Sequence, residues 1–271
     1  MSDPRSALDA HLADWEREVP AARLAALLLA DAWSPSARAL AWLEHDWLEA
    51  ALTIDEAGVR DARLGWWSDE LARWSAGHPR HPVLAAVAVD DGARDALPTA
   101  LAASAALAEL DSIATVTELV DAVAAVAAPL RGLRSGEGLR ATAATLLLAQ
   151  LRDWDAFAAA DRGRVPLLSL ARAGLSRAAA LDPAGGRDRA FAALLSDLGP
   201  LLEDAPPAAG FDGIRQRVEA GWCRRARREP ARALAGELPP WRWHDGFACW
   251  RLARAARRRR NADTAARERA A

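Results

Sequence analysis

The sequence predicts an all-α protein, and three observations support this fold class. Apolar residues recur with the helical period in almost every segment, proline and glycine mark the breaks, and no convincing run of alternating β-branched residues is present. A chain of 271 residues with 52% hydrophobic composition can also bury a large core. We therefore expect a globular helical protein.

Helix boundaries follow from the apolar period and from capping residues. Ser34 precedes Pro35 at a first-turn position, and Gly77 follows SDELARWSA where a left-handed C-terminal residue belongs. The predicted helices cover residues 5 to 18, 21 to 32, 35 to 52, 55 to 76, 82 to 89, 98 to 109, 115 to 128, 137 to 161, 186 to 203, 209 to 234 and 241 to 259.

The breaks between these helices favour a single main domain. The segments RGLRSGEG, LDPAGGRDR and EDAPPAAG are rich in turn-forming residues but too short for interdomain linkers. We expect an N-terminal extension or first helix at 1–19, a helical domain at 20–255 and a basic C-terminal tail at 256–271.

The formal net charge of −2 conceals an arginine-rich C-terminus, visible in CRRARREPARAL and RLARAARRRRNADTAARERAA. Such arginines could contact phosphates or an anionic membrane surface, but a solvated basic helix end is the commoner arrangement. We expect a solvated tail, no nucleic-acid partner and at most a peripheral membrane contact. The charged N-terminus resembles no signal peptide, and the longest apolar stretches fall short of the ~20 residues of a membrane span. We predict a cytoplasmic location.

Aromatic and metal-binding residue types complete the inventory. The five histidines and the two cysteines, Cys223 and Cys249, show no metal-site spacing. The tryptophans of the central segments would mostly be core residues, because indoles bury a large area each; these are Trp42, Trp47, Trp66, Trp67 and Trp74.

The segment VRDARLGWWSDELARWSAGHPRHPVLAAV is specific enough to suggest a family. It combines an Arg-Leu-x-Trp-Trp helix, a glycine and a His-Pro-Val that opens the next helix; the residues are Arg63, Leu64, Trp66, Trp67, Gly77, His81, Pro82 and Val83. This combination resembles the squalene/phytoene synthase family.

A second segment has the same order of residues as that family. Its members have a long helix ending in Arg-Asp and further acids, then an Arg-Gly-Arg turn, a proline and a Gly-Leu-Ser; here these are Arg152, Asp153, Arg162, Gly163, Arg164, Pro166, Gly174, Leu175 and Ser176. The resemblance spans roughly residues 20 to 255. It implies an isoprenoid-synthase helical bundle with a central cavity.

The resemblance implies a metal site formed by two acidic clusters on facing helices. Head-to-head prenyl coupling expels diphosphate, and Mg²⁺ held by a few carboxylates neutralises the leaving group. The candidates are Asp46 and Glu49 in one cluster, three residues apart on one helix face, and Asp153 and Asp155 in the other.

Neither cluster matches the family pattern in full. With the Arg-Gly-Arg turn held in register, the Asp-x-x-Glu-Asp run of the second cluster falls on Asp155, Ala158 and Ala159, so two carboxylates are missing. Asp46 and Glu49 lie one or two residues away from the expected acidic positions, and a solvated helix face explains them equally well. The cavity tyrosines of the family are also missing, because the chain has no tyrosine.

Arg162 and Arg164 are the candidate diphosphate ligands, because guanidinium groups match phosphate oxygens. The same two arginines would need no ligand if they paired with nearby aspartates. The sequence alone leaves both arrangements open.

Two functions follow from these residues. The first is a prenyl transferase of the squalene/phytoene synthase type, with Mg²⁺ as its cofactor and a prenyl diphosphate as its substrate. The second is a non-catalytic family member that binds a protein partner or an apolar ligand, similar to the family branch that assists assembly of respiratory complex I. Fold does not decide between them, so the site must.

Overall fold

The computed structural model describes residues 4–132, 137–159, 163–203 and 208–270, and these contain helices but no strand. The predicted all-α class is confirmed. A short 3₁₀ turn, Ala30–Ala32, follows the second of the α-helices, which are α1 Pro4–Glu18, α2 Pro20–Leu29, α3 Pro35–Thr53, α4 Ala57–Ser75, α5 Pro82–Ala85, α6 Asp91–Ala108, α7 Val116–Arg131, α8 Glu137–Gln150, α9 Trp154–Ala159, α10 Leu167–Ala173, α11 Arg177–Leu181, α12 Arg187–Glu203, α13 Gly210–Arg228, α14 Pro230–Leu234 and α15 Trp243–Ala270.

Both predicted capping positions of the central helices are confirmed. The Ser34 hydroxyl accepts a hydrogen bond from the Ala37 amide at 3.2 Å, and Pro35 occupies the first turn of α3. Gly77 follows α4 with φ of 83°, a conformation that side-chain-bearing residues rarely adopt.

Two of the predicted helices are each divided into two. The predicted helix at 137 to 161 is divided into α8 and α9, because Asp153 accepts a hydrogen bond from the Ala156 amide at 3.1 Å and so starts a new helix; positions 160 and 161 lie outside the described residues. Residues 209 to 234 form α13 and α14, because Pro230 has no amide hydrogen and disfavours a helical residue before it.

Other boundaries differ at local signals. Helix α6 begins seven residues before the predicted residue 98, since Asp90 caps it through the Ala93 amide at 2.7 Å, and Pro98 lies inside it. The prediction missed α10 and α11, which the left-handed Gly174 separates. The predicted helix at 82 to 89 is a single turn.

The core is built around α3. This helix packs against α1, α4, α5, α6, α7, α8 and α9, and most of its length is buried on all sides. The indoles of Trp47 and Trp74 are fully buried. Trp67 of α4 is also buried, at 2% exposed, so three of the five tryptophans predicted as mostly core residues are buried, whereas Trp66 is 45% exposed.

The C-terminal helix α15 continues from Trp243 to Ala270, so the basic segment predicted as a tail from residue 256 lies within it. This helix packs against α13 and α2. Among the described residues, no helix is both long and apolar enough to cross a membrane.

Candidate functional site

Trp66, Trp67 and His81 of the first family-like segment pack together beside the middle of α3. His81 caps α5 and stacks on Trp42, with ring centroids 5.6 Å apart, and lies 5.0 Å from the Trp67 ring and 4.5 Å from the His11 ring. Trp66 packs edge-on against Trp67. We refer to His11, Trp42, Trp66, Trp67 and His81 as the tryptophan–histidine cluster.

Burial controls the protonation of this cluster. Desolvation, and then the neighbouring His11, lower the pKa of His81 to about 4. Desolvation also lowers the pKa of His11, against the opposing effect of Asp46. Both imidazoles are therefore neutral at pH 7, and the cluster presents apolar faces rather than a cation.

One guanidinium bridges the two acids predicted for the first metal cluster. Arg63 donates to Oδ1 of Asp46 and, at 3.0 Å, to Oε2 of Glu49. The other oxygen of Asp46 accepts a hydrogen bond from Nε1 of Trp67 at 2.8 Å, and Asp46 is 5% exposed. Burial disfavours the charge on Arg63, but Asp46 and Glu49 outweigh it and raise the pKa of Arg63 above its ordinary value.

A neighbouring carboxylate on α3, Glu44, is buried in a larger ion network that the sequence did not reveal. Nε of Arg131 donates to Glu44 at 2.7 Å and Arg215 donates at 2.8 Å, while Asp212 pairs with both arginines. Burial alone raises the pKa of Glu44, but Arg131 and Arg215 outweigh it and lower the pKa to about 2. These partners lie on α7 and α13, at sequence separations that no local pattern can detect.

Between these two acids, His45 joins α3 to α8. Its Nδ1 lies 3.3 Å from the side-chain amide nitrogen of Gln150. Burial lowers the pKa of His45 to about 4, so this contact is between neutral groups at pH 7. Gln150 lies two residues before Arg152, the first residue of the second family-like segment. Its neutral side-chain amide is the group that contacts α3 at this point.

The second predicted acidic pair lies at the surface. Asp153 is exposed and caps α9, as described above. Asp155 is exposed and accepts from Arg187 of α12 at 2.5 Å. The neighbouring Arg152 pairs with the buried carboxylate of Glu219 at 2.9 Å, and its guanidinium lies 4.4 Å from the centroid of the Trp222 ring.

Of the two candidate diphosphate ligands, Arg164 is buried and bonded to backbone carbonyls. It donates to the Leu52 oxygen at 2.9 Å and to the Ala108 oxygen at 3.4 Å. These carbonyls lie in the last turns of α3 and α6, where helical hydrogen bonding leaves oxygens unsatisfied. Arg164 thus ties two helix ends together. Arg162 lies outside the described residues.

Of the predicted acidic residues, the structure brings Asp46 and Glu49 together and gives Asp153 and Asp155 separate partners. Within the described ranges, no group of three or more His, Cys, Asp or Glu side chains is arranged to hold a metal ion. Mg²⁺ prefers several oxygen ligands with room for its waters. Because arginine and indole donors already occupy the oxygens of Asp46, these residues do not fit such an ion.

Comparison with protein-family models and with curated protein sequences gave no match to this chain. Any functional assignment therefore depends on the residues and geometry described above.

Proposed function

We propose that this chain is a non-catalytic binding scaffold, built on a helical bundle of the squalene/phytoene synthase type. The family-like residues keep their order along the chain and, in the first segment, pack together. The polar side chains among them, however, form hydrogen bonds with other protein groups, and these bonds stabilise the bundle. An isoprenoid-synthase bundle with a central cavity remains part of this proposal.

The observation that carries the proposal is the bridge from Arg63 to Asp46 and Glu49. The guanidinium supplies the positive charge that a metal would otherwise bring. At ~4 Å and an effective dielectric constant of ~20, two unit charges interact by about 4 kcal/mol, and a divalent ion doubles that repulsion. A magnesium ion would therefore have to displace Arg63 to bind these acids.

The second segment supports the same proposal for a different reason. Its acids cap a helix and pair with Arg187 at the surface, so they have structural uses already. Loss of a single well-placed electrostatic group typically lowers an enzymatic rate by about 10²- to 10³-fold. A bundle that lacks both clusters would not stabilise a departing diphosphate.

An apolar groove between α4 and α6, about 570 Å³ in volume, favours an uncharged ligand over a diphosphate. Its lining includes Leu64, Leu71 and Leu101, and its two charged residues, Asp61 and Glu109, are both acidic. Both acids pair with the buried guanidinium of Arg60 at 3.4 Å, so that cation is already engaged and the lining is otherwise uncharged. The partner we expect is therefore a protein or an apolar molecule.

The proposal is tested with purified protein, Mg²⁺ and farnesyl or geranylgeranyl diphosphate. We expect no diphosphate release above the protein-free background, even if substrate binds weakly. Magnesium-dependent formation of a squalene- or phytoene-like product, abolished by Asp153→Ala, would overturn the proposal and establish the transferase function instead.

A cation-replacement experiment tests the carrying observation directly. In Arg63→Ala, millimolar Mg²⁺ or Mn²⁺ should raise the melting temperature, because two carboxylates then lack their cation; the wild type should not respond. The double variant Arg63→Ala/Asp46→Asn is the matched control and should lose the response. A wild type that gains several degrees from Mg²⁺, with Asp46→Asn removing that gain, would contradict the internal-cation interpretation.

A further inference from the structure

The C-terminal helix α15 has two faces of opposite character. Asp245, Cys249 and Ala253 are buried, and the Cys249 thiol contacts the Ile214 carbonyl oxygen of α13 at 3.9 Å. The opposite face carries large aromatic side chains that point away from the core. Because the buried face of α15 is the one that packs on α13, packing among the described residues does not account for the aromatic face.

Three exposed aromatic residues form a stripe along that outer face. Trp243 is 83% exposed, Phe247 is 56% exposed and Trp250 is 42% exposed. Spacings of four and three residues place them on one side of a helix. The Phe247 and Trp250 rings stack with centroids 5.6 Å apart, so these two rings form one continuous apolar surface.

Arginines extend the same stripe toward the C-terminus. Arg254 lies one turn beyond Trp250, with its guanidinium 5.4 Å from the Trp250 ring, and Arg258 lies one turn further on. Arg251 is exposed beside them. No Asp or Glu occurs between residues 246 and 262, so α15 itself supplies no acid to these arginines over this stretch.

A groove of about 610 Å³ borders the stripe and adds to its charge. Arg251 of α15 and Arg217 and Arg224 of α13 line it, with Glu203 as its acidic member and alanine and leucine side chains as its floor. Arginines from α13 and α15 thus lie in the groove beside the stripe, although Arg217 also pairs with Asp245 at 3.5 Å.

We propose that this face of α15 binds an anionic lipid membrane surface. Indole and phenyl rings favour the interface between headgroups and acyl chains, and arginines are attracted to anionic headgroups. This assignment is independent of whether the bundle is catalytic, and it identifies the kind of surface at which the protein would act.

Vesicle flotation with the full chain tests the proposal, comparing pure phosphatidylcholine with phosphatidylcholine containing phosphatidylserine or phosphatidylglycerol. We expect binding to anionic vesicles that weakens with salt. Replacing Arg251, Arg254 and Arg258 with Gln should reduce the partition coefficient by roughly fivefold per arginine, and so by roughly a hundredfold together. Arg257 is left intact because it donates to the Leu28 carbonyl.

Replacement of the aromatic stripe is the second arm. The triple variant Trp243→Ser/Phe247→Ser/Trp250→Ser should lose at least about tenfold in partitioning. Brominated acyl chains should quench tryptophan fluorescence in the wild type but much less in this variant. A matched control replaces exposed leucines elsewhere, Leu167, Leu168 and Leu181, by serine and should partition as the wild type does.

The proposal is overturned if the wild type does not float with anionic vesicles, or if it binds neutral and anionic vesicles equally. Partitioning by the aromatic variant equal to that of the wild type would also overturn it. A second copy of the chain could also cover the aromatic stripe, and light scattering tests this alternative. Concentration-dependent dimerisation that the aromatic variant abolishes would assign the stripe to a dimer interface and overturn the membrane proposal.

Discussion

The two acidic segments of this chain contain the same residue types in opposite environments. On α3, Glu44 and Asp46 are buried and paired with arginines from α7, α13 and α4. At the start of α9, Asp153 and Asp155 are exposed, and one caps a helix while the other pairs with Arg187.

Burial explains why the pairing differs. A carboxylate removed from water needs a charged partner with good hydrogen-bond geometry, whereas an exposed one is stabilised by solvent. Helix α3 is covered on nearly all sides, so each acid on it requires an arginine or an indole donor. The comparison predicts that substitutions on α3 cost far more stability than equivalent substitutions near α9.

The largest effect is expected for Glu44→Gln. The variant leaves the Arg131 and Arg215 guanidinium groups with the partly exposed Asp212 as their remaining acidic partner, and breaking a buried pair typically costs about 3–5 kcal/mol. Urea denaturation at pH 7 should show a lower midpoint with an unchanged slope. A loss below about 1 kcal/mol would show that solvent reaches this network.

The same variant isolates a pH dependence. The pKa of Glu44 falls from an ordinary value of about 4.5 to about 2 in the folded state, where Arg131 and Arg215 outweigh burial. Its contribution, about 3 kcal/mol by linkage, is fully present above pH ~4.5 and is lost as pH falls through about 2. Wild-type stability should therefore decrease more steeply in this window than that of Glu44→Gln.

The next largest effect is expected for Asp46→Asn. The amide keeps the size of the side chain and an acceptor for Trp67, but it removes the negative charge that holds Arg63. Hydrogen bonds to charged groups contribute about 1.5–3 kcal/mol, so we expect a loss in that range. Glu49→Gln is the matched control on the same guanidinium and should lose less, because Glu49 is more exposed.

The all-α class and most helix positions could be predicted because they depend on local signals. The Ser34–Pro35 start, Gly77 and the apolar period are all readable within one or two turns. The break at Asp153 depends on an equally local signal, its capping carboxylate, which the predicted helix from 137 to 161 did not take into account. The predicted helix from 209 to 234 likewise did not take into account Pro230, at which α14 begins.

The partners in the site could not be predicted from the sequence. Arg131 and Arg215 lie 87 and 171 residues from Glu44, and Arg164 lies 112 residues from the Leu52 carbonyl that it binds. A spacing pattern identifies residues that share a helix face, but not which distant cation faces them. Arg63 could be identified in the sequence as part of a motif. Its hydrogen bonds to Asp46 and Glu49 could be identified only from the structure.

A smaller effect is expected for Asp153→Ala. Its side chain satisfies one unpaired amide at the start of α9, and removing a helix cap typically costs about 1 kcal/mol. Asp153→Asn is the matched control, because an asparagine oxygen caps nearly as well without the charge. If Asn were as harmful as Ala in thermal denaturation, the charge rather than the cap would be what this position contributes.

The smallest effect is expected for Asp155→Ala. Asp155 is exposed and pairs with Arg187, and exposed ion pairs contribute about 0–1 kcal/mol because solvent and salt screen them. Chemical denaturation should show a loss under about 0.5 kcal/mol that shrinks further at high salt. Arg187→Gln is the reciprocal variant, and the double variant closes a thermodynamic cycle whose coupling energy isolates the pair. A coupling as large as that expected between Glu44 and its arginines would mean that Asp155 is buried in solution, and the contrast between the two acidic segments would fail. A small coupling would leave burial, rather than residue type, as the property that separates them.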